Sequence, residues 1–207
     1  MHDQVSIVIV SYNTREFICP CLASISSHYP GLMPRVTVVD NASADGTVEA
    51  IRAEFPDIAI IENPANLGYA KAVNQGIEAS DTPYVLVLNP DIEVREGSVE
   101  NMLGFMESHP DAGIAGARLV YPDGTLQPSC RTFYTLPVVL LRRTLLGKLF
   151  PNAKAVREHL MLDWDHGTSL AVDWVIGACM IVRKDALADF GGMDERFLLY
   201  FEDVDWC

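Results

Sequence analysis

The sequence predicts an α/β protein with a mixed, mostly parallel sheet flanked by helices. Short β-branched runs alternate with helical stretches through the first half, the signature of βαβ units. The run Tyr84–Leu88 (YVLVL) carries no charge, as a strand buried on both faces requires. At 207 residues and 49% hydrophobic, the chain can also bury a core without disulfide or metal staples.

In order, residues 5–12 read as a buried strand. Residues 15–27 read as an amphipathic helix, with Phe17, Leu22 and Ile25 on one face and Pro20 in its first turns. Residues 35–40 are a second strand, and the turn at 42–46 starts a helix to residue 54 with Ser43 or Asp45 as N-cap. A short strand at 58–62 precedes Asn66, Leu67 and Gly68, which open a helix through 77 that Ser80, Asp81, Thr82 and Pro83 stop. After YVLVL come a helix at 97–108, a strand at 113–120 and, around Pro122, Asp123 and Gly124, a hairpin over 121–128. The second half is expected to hold a helix at 136–149, an irregular loop at 151–171 and one long or broken strand at 172–182 containing Gly177. A short helix at 184–190, closed by Gly191 and Gly192, and the start of a helix at 200–207 complete it. No linker divides the chain, so 1–207 is expected to form a single domain.

Charge narrows the function classes. Fifteen basic against 28 acidic residues, net -13, argue against a protein that grips a nucleic-acid backbone. The distribution is uneven: residues 131–160 hold Arg131, Arg142, Arg143, Lys148, Lys154 and Arg157 against Glu158 alone. Within that stretch, residues 136–150 read either as an interfacial helix for anionic lipid or as an amphipathic helix packed on the domain or on another subunit. Five cysteines without a CxxC pair point to a reducing compartment. Met1, His2 and Asp3 offer no basic leader, and prolines interrupt the uncharged stretch 17–34, so neither a signal peptide nor a membrane span is expected. The expected location is cytoplasmic, at the inner face of the plasma membrane if 136–150 contacts lipid.

No GxGxxG follows a strand, and GxxxxGK[ST], HExxH and GxSxG are missing, which argues against dehydrogenases, P-loop NTPases, zincins and α/β-hydrolases. Polar residues gather instead at predicted strand ends, where open α/β sheets bind ligands. These are Ser11, Tyr12 and Asn13; Asp40 and Asn41; and Asn89, Pro90 and Asp91. Asp40 is an acceptor suited to a ribose hydroxyl or base N–H, Tyr12 offers a ring face to a base, and Asn66 to Gly68 presents backbone N–H groups to a diphosphate. Asp91, just past the most buried strand, suits a divalent cation shared with phosphates. Each of these residues also serves as an ordinary turn or cap. Residues 191–205 place Asp194, Glu195, Glu202, Asp203 and Asp205 among aromatics, where desolvation can raise a carboxyl toward general-base use; Glu202 and Asp203 equally suit the cap of a last helix.

Together these features resemble family 2 glycosyltransferases of the GT-A fold, a Rossmann-like architecture, over nearly the whole chain. The resemblance is carried by VSIVIVSYN (5–13), VVDNASADGT (38–47), NLGYAKAVNQG (66–76), VLNPDI (87–92), WVIGACMIVRKDAL (174–187) and GGMDERFLLYFEDVDWC (191–207). It implies a nucleotide-binding half at 1–120 and an acceptor and catalytic half at 121–207. Ser11, Tyr12, Asn13 and Asp40 would line the nucleotide-sugar pocket, with Asn66, Gly68, Lys71 and Asn89 nearby. Asp91 would hold Mg²⁺ or Mn²⁺ against the donor diphosphate, and Asp203 would act as base with Glu202 orienting it or the acceptor. Trp174 and Gly177 would border the donor sugar and acceptor groove. The implied reaction is displacement with inversion from a nucleoside-diphosphate sugar to a glycan or lipid-linked acceptor. Asn89-Pro90-Asp91 looks most like the branch containing bacterial surface-polysaccharide rhamnosyltransferases, which makes dTDP-rhamnose the donor by analogy.

Two departures stand out. Asn89 occupies the place of the first Asp of the family's Asp-x-Asp motif, and the chain stops directly after the acid pair, so a C-terminally truncated domain is expected. A sugar nucleotidyltransferase stays open as an alternative, although Ser11 to Glu16 offers a phosphate only Arg15; so does a non-catalytic nucleotide-sugar or glycan-binding module. His2, His28, His109, His159 and His166 fall in no assignable motif and are expected in surface or loop roles.

Overall fold

A computed structural model describes residues 3–207, so the expectation for His2 lies outside the described residues. The β-branched runs fold as β1 (Val5–Ser11), β2 (Val36–Asp40), β3 (Ala59–Glu62) and β4 (Tyr84–Leu88), all parallel. Every residue of β1 and β4 is buried, which is why neither run alternates with polar side chains. Between and after them come α1 (Arg15–His28), α2 (Thr47–Glu54), α3 (Tyr69–Ala79) and α4 (Ser98–Ser108). Helix α3 rides close on β1 and β2: a Cβ added to Gly76 would lie 2.3 Å from a methyl of Val8. The N-cap of α2 is neither Ser43 nor Asp45 but Gly46, in the left-handed region; Asp45 instead accepts the Thr47 N–H from one residue further out.

The chain forms two compact units, one running up to Ala115 and resuming at Gly177–Trp206, the other comprising Gly116–Ile176 with Cys207. The predicted strand at 113–120 accordingly splits. Its first part is β5 (Ile114–Gly116), at the edge of the main sheet; its second, β6 (Leu119–Val120), pairs in a hairpin with β7 (Leu126–Gln127). That hairpin turns at Gly124 (φ +85°), where Asp123 accepts both the N–H and the hydroxyl of Thr125.

The second unit continues with β8 (Cys130–Arg131), α5 (Leu136–Arg143), α6 (Leu146–Leu149), α7 (Lys154–His159) and β9 (Trp174–Val175), which pairs with β8. The helix expected at 136–149 is therefore broken. The Thr144 hydroxyl donates to the Leu140 carbonyl while its own backbone is extended, and the chain doubles back so closely that only glycine fits at 147, against the Leu141 carbonyl. The stretch expected as loop contains α7, a six-residue helix with a Lys154–Glu158 pair one turn apart.

Past Gly177 the chain re-enters the first unit as β10 (Cys179–Arg183), antiparallel to β4, followed by α8 (Leu187–Phe190) and α9 (Glu202–Trp206). The expected strand at 172–182 is broken because its backbone changes partners: the Ile176 N–H serves Ser129, and the Gly177 N–H serves Asp203. The sheet order is β3-β2-β1-β4-β10-β5. The chain thus builds outward from β1 to β3, then returns to place β4 on the other side of β1. That reversal makes a switch point between β1 and β4, where loops leaving the strand ends part and open a crevice.

Two of the histidines are not at the surface. His159 is buried, its Nε2 facing Arg142 at 2.9 Å, and His166 is buried in a ring stack with Trp164. His28 and His109 are exposed, as expected. Cys19, Cys21, Cys130 and Cys179 are free thiols, and burial pushes Cys21 and Cys179 up to about 12.

Candidate active site

The crevice is lined on one side by the loops after β1 and β2, whose last residues, Ser11 and Asp40, are register partners. Asp40 is buried, and both of its oxygens are engaged at Ser43, one by the N–H at 2.8 Å and one by the hydroxyl at 2.6 Å. Asn13, in the left-handed region, ties the same two loops together: its side chain accepts the Ala44 N–H, and its own N–H donates to Ser43. The buried Ser11 hydroxyl meets Thr14 at 2.8 Å. Tyr12 is half exposed, with its ring free to face a planar ligand, and Asn13 beside it is exposed as well. Each Asp40 oxygen keeps a further lone pair, so the carboxylate can bind a donor as well as hold Ser43.

Helix α3 supplies the floor. Asn66 accepts the Gly68 N–H, and Gly68 carries φ +90° with the Leu198 carbonyl 3.1 Å from where a Cβ would stand. The Tyr69 N–H donates to that same carbonyl, Lys71 pairs with Glu195 at 3.4 Å, and the Asn74 amide both donates to the Met193 carbonyl and accepts its N–H. The first two turns of α3 thus hold the acid-rich segment 193–198. Below them Asn41, Asn63 and Gln75 form a closed amide network.

On the other side of the crevice stand the loop after β4 and the start of α9. The Tyr69 hydroxyl lies 3.1 Å from both the Asn89 amide oxygen and the Gly177 carbonyl. The Gly177 N–H donates to Asp203 Oδ2 at 3.0 Å, and the Val204 N–H to Asp203 Oδ1 at 2.9 Å. Burial, and then the charges of Glu202, Asp203, Cys179 and Asp91, push the Tyr69 hydroxyl above its usual range, so it stays a neutral donor. Glu202 is buried with Oε2 unpartnered, and burial followed by the Asp203 charge raises its carboxyl above the ordinary glutamate range. Tyr200 and Phe201, directly before it, are both left-handed, at φ +70° and +73°.

Asp91 is exposed, and no hydrogen bond or ion pair to a described residue engages its carboxylate. Among the described residues no three His, Cys, Asp or Glu side chains gather to hold an ion unaided. A single free carboxylate nevertheless fits a hard cation whose other ligands are phosphate oxygens and water.

The structure therefore brings Ser11, Tyr12, Asn13, Asp40, Asn66, Gly68, Lys71, Asn89, Asp91, Gly177, Glu202 and Asp203 into one unit, on loops and helix starts around strand ends. Trp174 belongs to the other unit, buried, with its indole donating to the Thr132 carbonyl and stacked on Tyr134. Ser43, expected only as a helix cap, and Tyr69 and Asn74 also hold this site. Tyr69 and Asn74 lie inside the NLGYAKAVNQG block, and a polar residue on an otherwise small, apolar helix face was the signal available.

A parallel sheet with a crevice at its switch point, a return strand beside β4 and carboxylates at that strand's end define a GT-A glycosyltransferase fold. The chain belongs to glycosyl transferase family 2, whose model matches residues 6–170. It is 32% identical to the N-acetylglucosaminyl-diphospho-decaprenol L-rhamnosyltransferase of Mycobacterium tuberculosis, covering 99% of this chain and 69% of that protein. Among solved structures, Staphylococcus aureus TarS 1-349 superposes with a TM-score of 0.62 at 19% identity, over 97% of this chain and 53% of the other. The mannosyltransferase PcManGT from Pyrobaculum calidifontis, solved with GDP-Man and Mn²⁺, gives 0.61 at 20% identity, over 97% and 50%. The chain thus spans about half the length of these two structures, and at such identities they share its fold.

Proposed function

We propose that the chain carries the donor-binding and catalytic machinery of an inverting glycosyltransferase. It moves a sugar from a nucleoside-diphosphate sugar to a hydroxyl of a surface-polysaccharide or lipid-linked acceptor. The observation that carries this reading is the chain of contacts from Asn89 at the end of β4 through Tyr69 and Gly177 to Asp203, in the same unit as the Ser11–Asn13 and Asp40 loops at the switch point. In the proposed roles, Tyr12, Asn13 and Asp40 receive the nucleoside and Ser11 supports their loop. Asn66, Gly68 and Lys71 lie toward the diphosphate, and Asn89 and Gly177 toward the sugar. Asp203 takes the acceptor proton as the new bond forms, and Glu202 orients it. Asp91 would hold Mg²⁺ or Mn²⁺, which neutralises charge on the departing diphosphate when bound. PcManGT, solved with GDP-Man and Mn²⁺, supports the donor class, and the mycobacterial relative's name supports rhamnose and a polyprenyl-linked acceptor.

The second unit extends the proposal to membranes. No helix among the described residues is long and apolar enough to cross one. Yet Leu136, Leu145 and Leu149 are more than 70% exposed beside Arg143 and Lys148, the composition of a surface that rests on anionic lipid at the cytoplasmic face.

Calorimetric titration with dTDP, UDP and GDP, each with and without Mg²⁺ or Mn²⁺, tests the central claim. One nucleotide is expected to bind, with the metal-dependent part of its affinity lost in Asp91→Ala. A folded chain that binds none of the three with either metal overturns it.

A further inference from the structure

We propose that Tyr69 is a positioning residue for Asp203, acting through the Gly177 backbone, and that Asn89 is its amide donor rather than a ligand of the metal. The inference rests on the reading of Asp203 as base and adds two residues' roles to it.

The argument starts from proton counting. A tyrosine hydroxyl has one proton to give and can also accept one. Here it stands 3.1 Å from two groups, the Gly177 carbonyl, which can only accept, and the Asn89 side-chain amide. Both contacts hold together in one arrangement only: the Asn89 NH₂ turned to the hydroxyl and the hydroxyl proton given to Gly177, an amide orientation reached by a simple flip.

Gly177 is where this matters. Without a side chain, its backbone torsions are restrained only by what its peptide groups bind. Its carbonyl is held by Tyr69, its N–H by Asp203 Oδ2, and the next carbonyl, of Ala178, by the Asn89 N–H at 2.9 Å. Asp203 Oδ1 is occupied by Val204 on its own helix. The direction in which Asp203 presents its carboxylate therefore depends on Gly177, and Gly177 on Tyr69.

The same logic explains the amide at position 89. An aspartate there would be acceptor-only and would take the hydroxyl proton in a charge-assisted bond, leaving Gly177 without a donor. It would also bring a carboxylate directly against a buried hydroxyl that is already pushed above its usual range.

Amide hydrogen exchange followed by NMR on this chain tests the proposal without nucleotide, metal or acceptor. In Tyr69→Phe the Gly177 amide is expected to exchange about fivefold faster, the equivalent of one hydrogen bond of ~1 kcal/mol, while Val87 in β4 keeps its protection. Asn89→Asp is expected to have the same effect, and the two substitutions together no more than either alone, because they cut one chain of bonds. Gly177 exchange within about twofold of wild type in Tyr69→Phe, or additive effects in the double variant, overturns the proposal. If Tyr69→Phe loosens β4 as well, Asn89→Asp, which keeps the ring packing, decides alone: unchanged Gly177 exchange sinks the idea. Nucleotide titration is a separate measurement, so failure of the donor-binding reading and failure of this one are distinguishable. Once a donor is identified, Tyr69→Phe should lower kcat and leave donor KM unchanged.

Discussion

The two units of this chain solve the problem of burial in opposite ways. The first hides β1 and β4 completely and leaves carboxylates at their ends, with Glu202 buried and half paired. The second packs a half-buried Tyr134 with buried His159 and Trp174, against Arg142, and leaves Leu136, Leu145 and Leu149 largely exposed. One unit carries carboxylates at the rim of a buried sheet; the other carries exposed apolar side chains. The contrast teaches that one chain can keep its buried charges and its exposed apolar side chains in separate units.

The two units should also fail at opposite ends of the pH scale. The raised Glu202 carboxyl favours the protonated form in the folded state. The stability it supports is complete below the unfolded value of 4.5 and is lost as pH rises through the higher folded value. His159 is lowered, first by burial and then by Arg142, so its contribution is complete above 6.5 and is lost as pH falls through the lower folded value.

The largest expected effect breaks the first unit alone. Gly76→Ala forces a methyl into Val8 and should cost about 3 kcal/mol in urea unfolding followed at the sheet. Gly147→Ala, which meets a backbone carbonyl in the second unit, should spare that transition; if it lowers the sheet transition equally, the units are not independent. Next, Glu202→Gln should stabilise the first unit by about 1–2 kcal/mol at pH 8 by removing a half-paired buried charge, with the gain gone below pH 4.5. Thermal melts across that range check it, and a gain that grows on acidification would contradict the assignment. Tyr200→Gly should add about 1 kcal/mol by relieving a left-handed aromatic that is mostly exposed. Smallest in stability, within about 0.5 kcal/mol, is Arg143→Glu with Lys148→Glu, both exposed. That pair should nonetheless abolish co-sedimentation with anionic vesicles, and undiminished sedimentation would remove the membrane contact.

Much of the first unit was legible because its physics is local. A charge-free, β-branched run such as YVLVL suits a strand buried on both faces, and polar residues just past such strands stand at the sheet's rim. That argument alone places Asp40, Asn89 and Asp91 at the rim. Tyr69 and Asn74 were not legible because their partners lie about a hundred residues away: nothing near Tyr69 announces Gly177, and nothing near Asn74 announces Met193. The second unit was read least well. An apolar run such as LPVVLLRRTLLGKLF has helical character throughout, and only tertiary contact decides that Thr144 and Gly147 end one helix and begin another.

The sheet order also has a consequence in time. β1 to β4 are complete once the first 88 residues exist, but the second neighbour of β4 is β10, which ends at Arg183. During synthesis at roughly 5–20 residues per second, the most apolar strand of the protein waits on the order of 5–20 s with one edge unpaired. An open edge of that kind is a template for another chain. Yield in a cell should therefore depend on how fast residues 89–183 emerge, and on chaperones that cover β4 until they do.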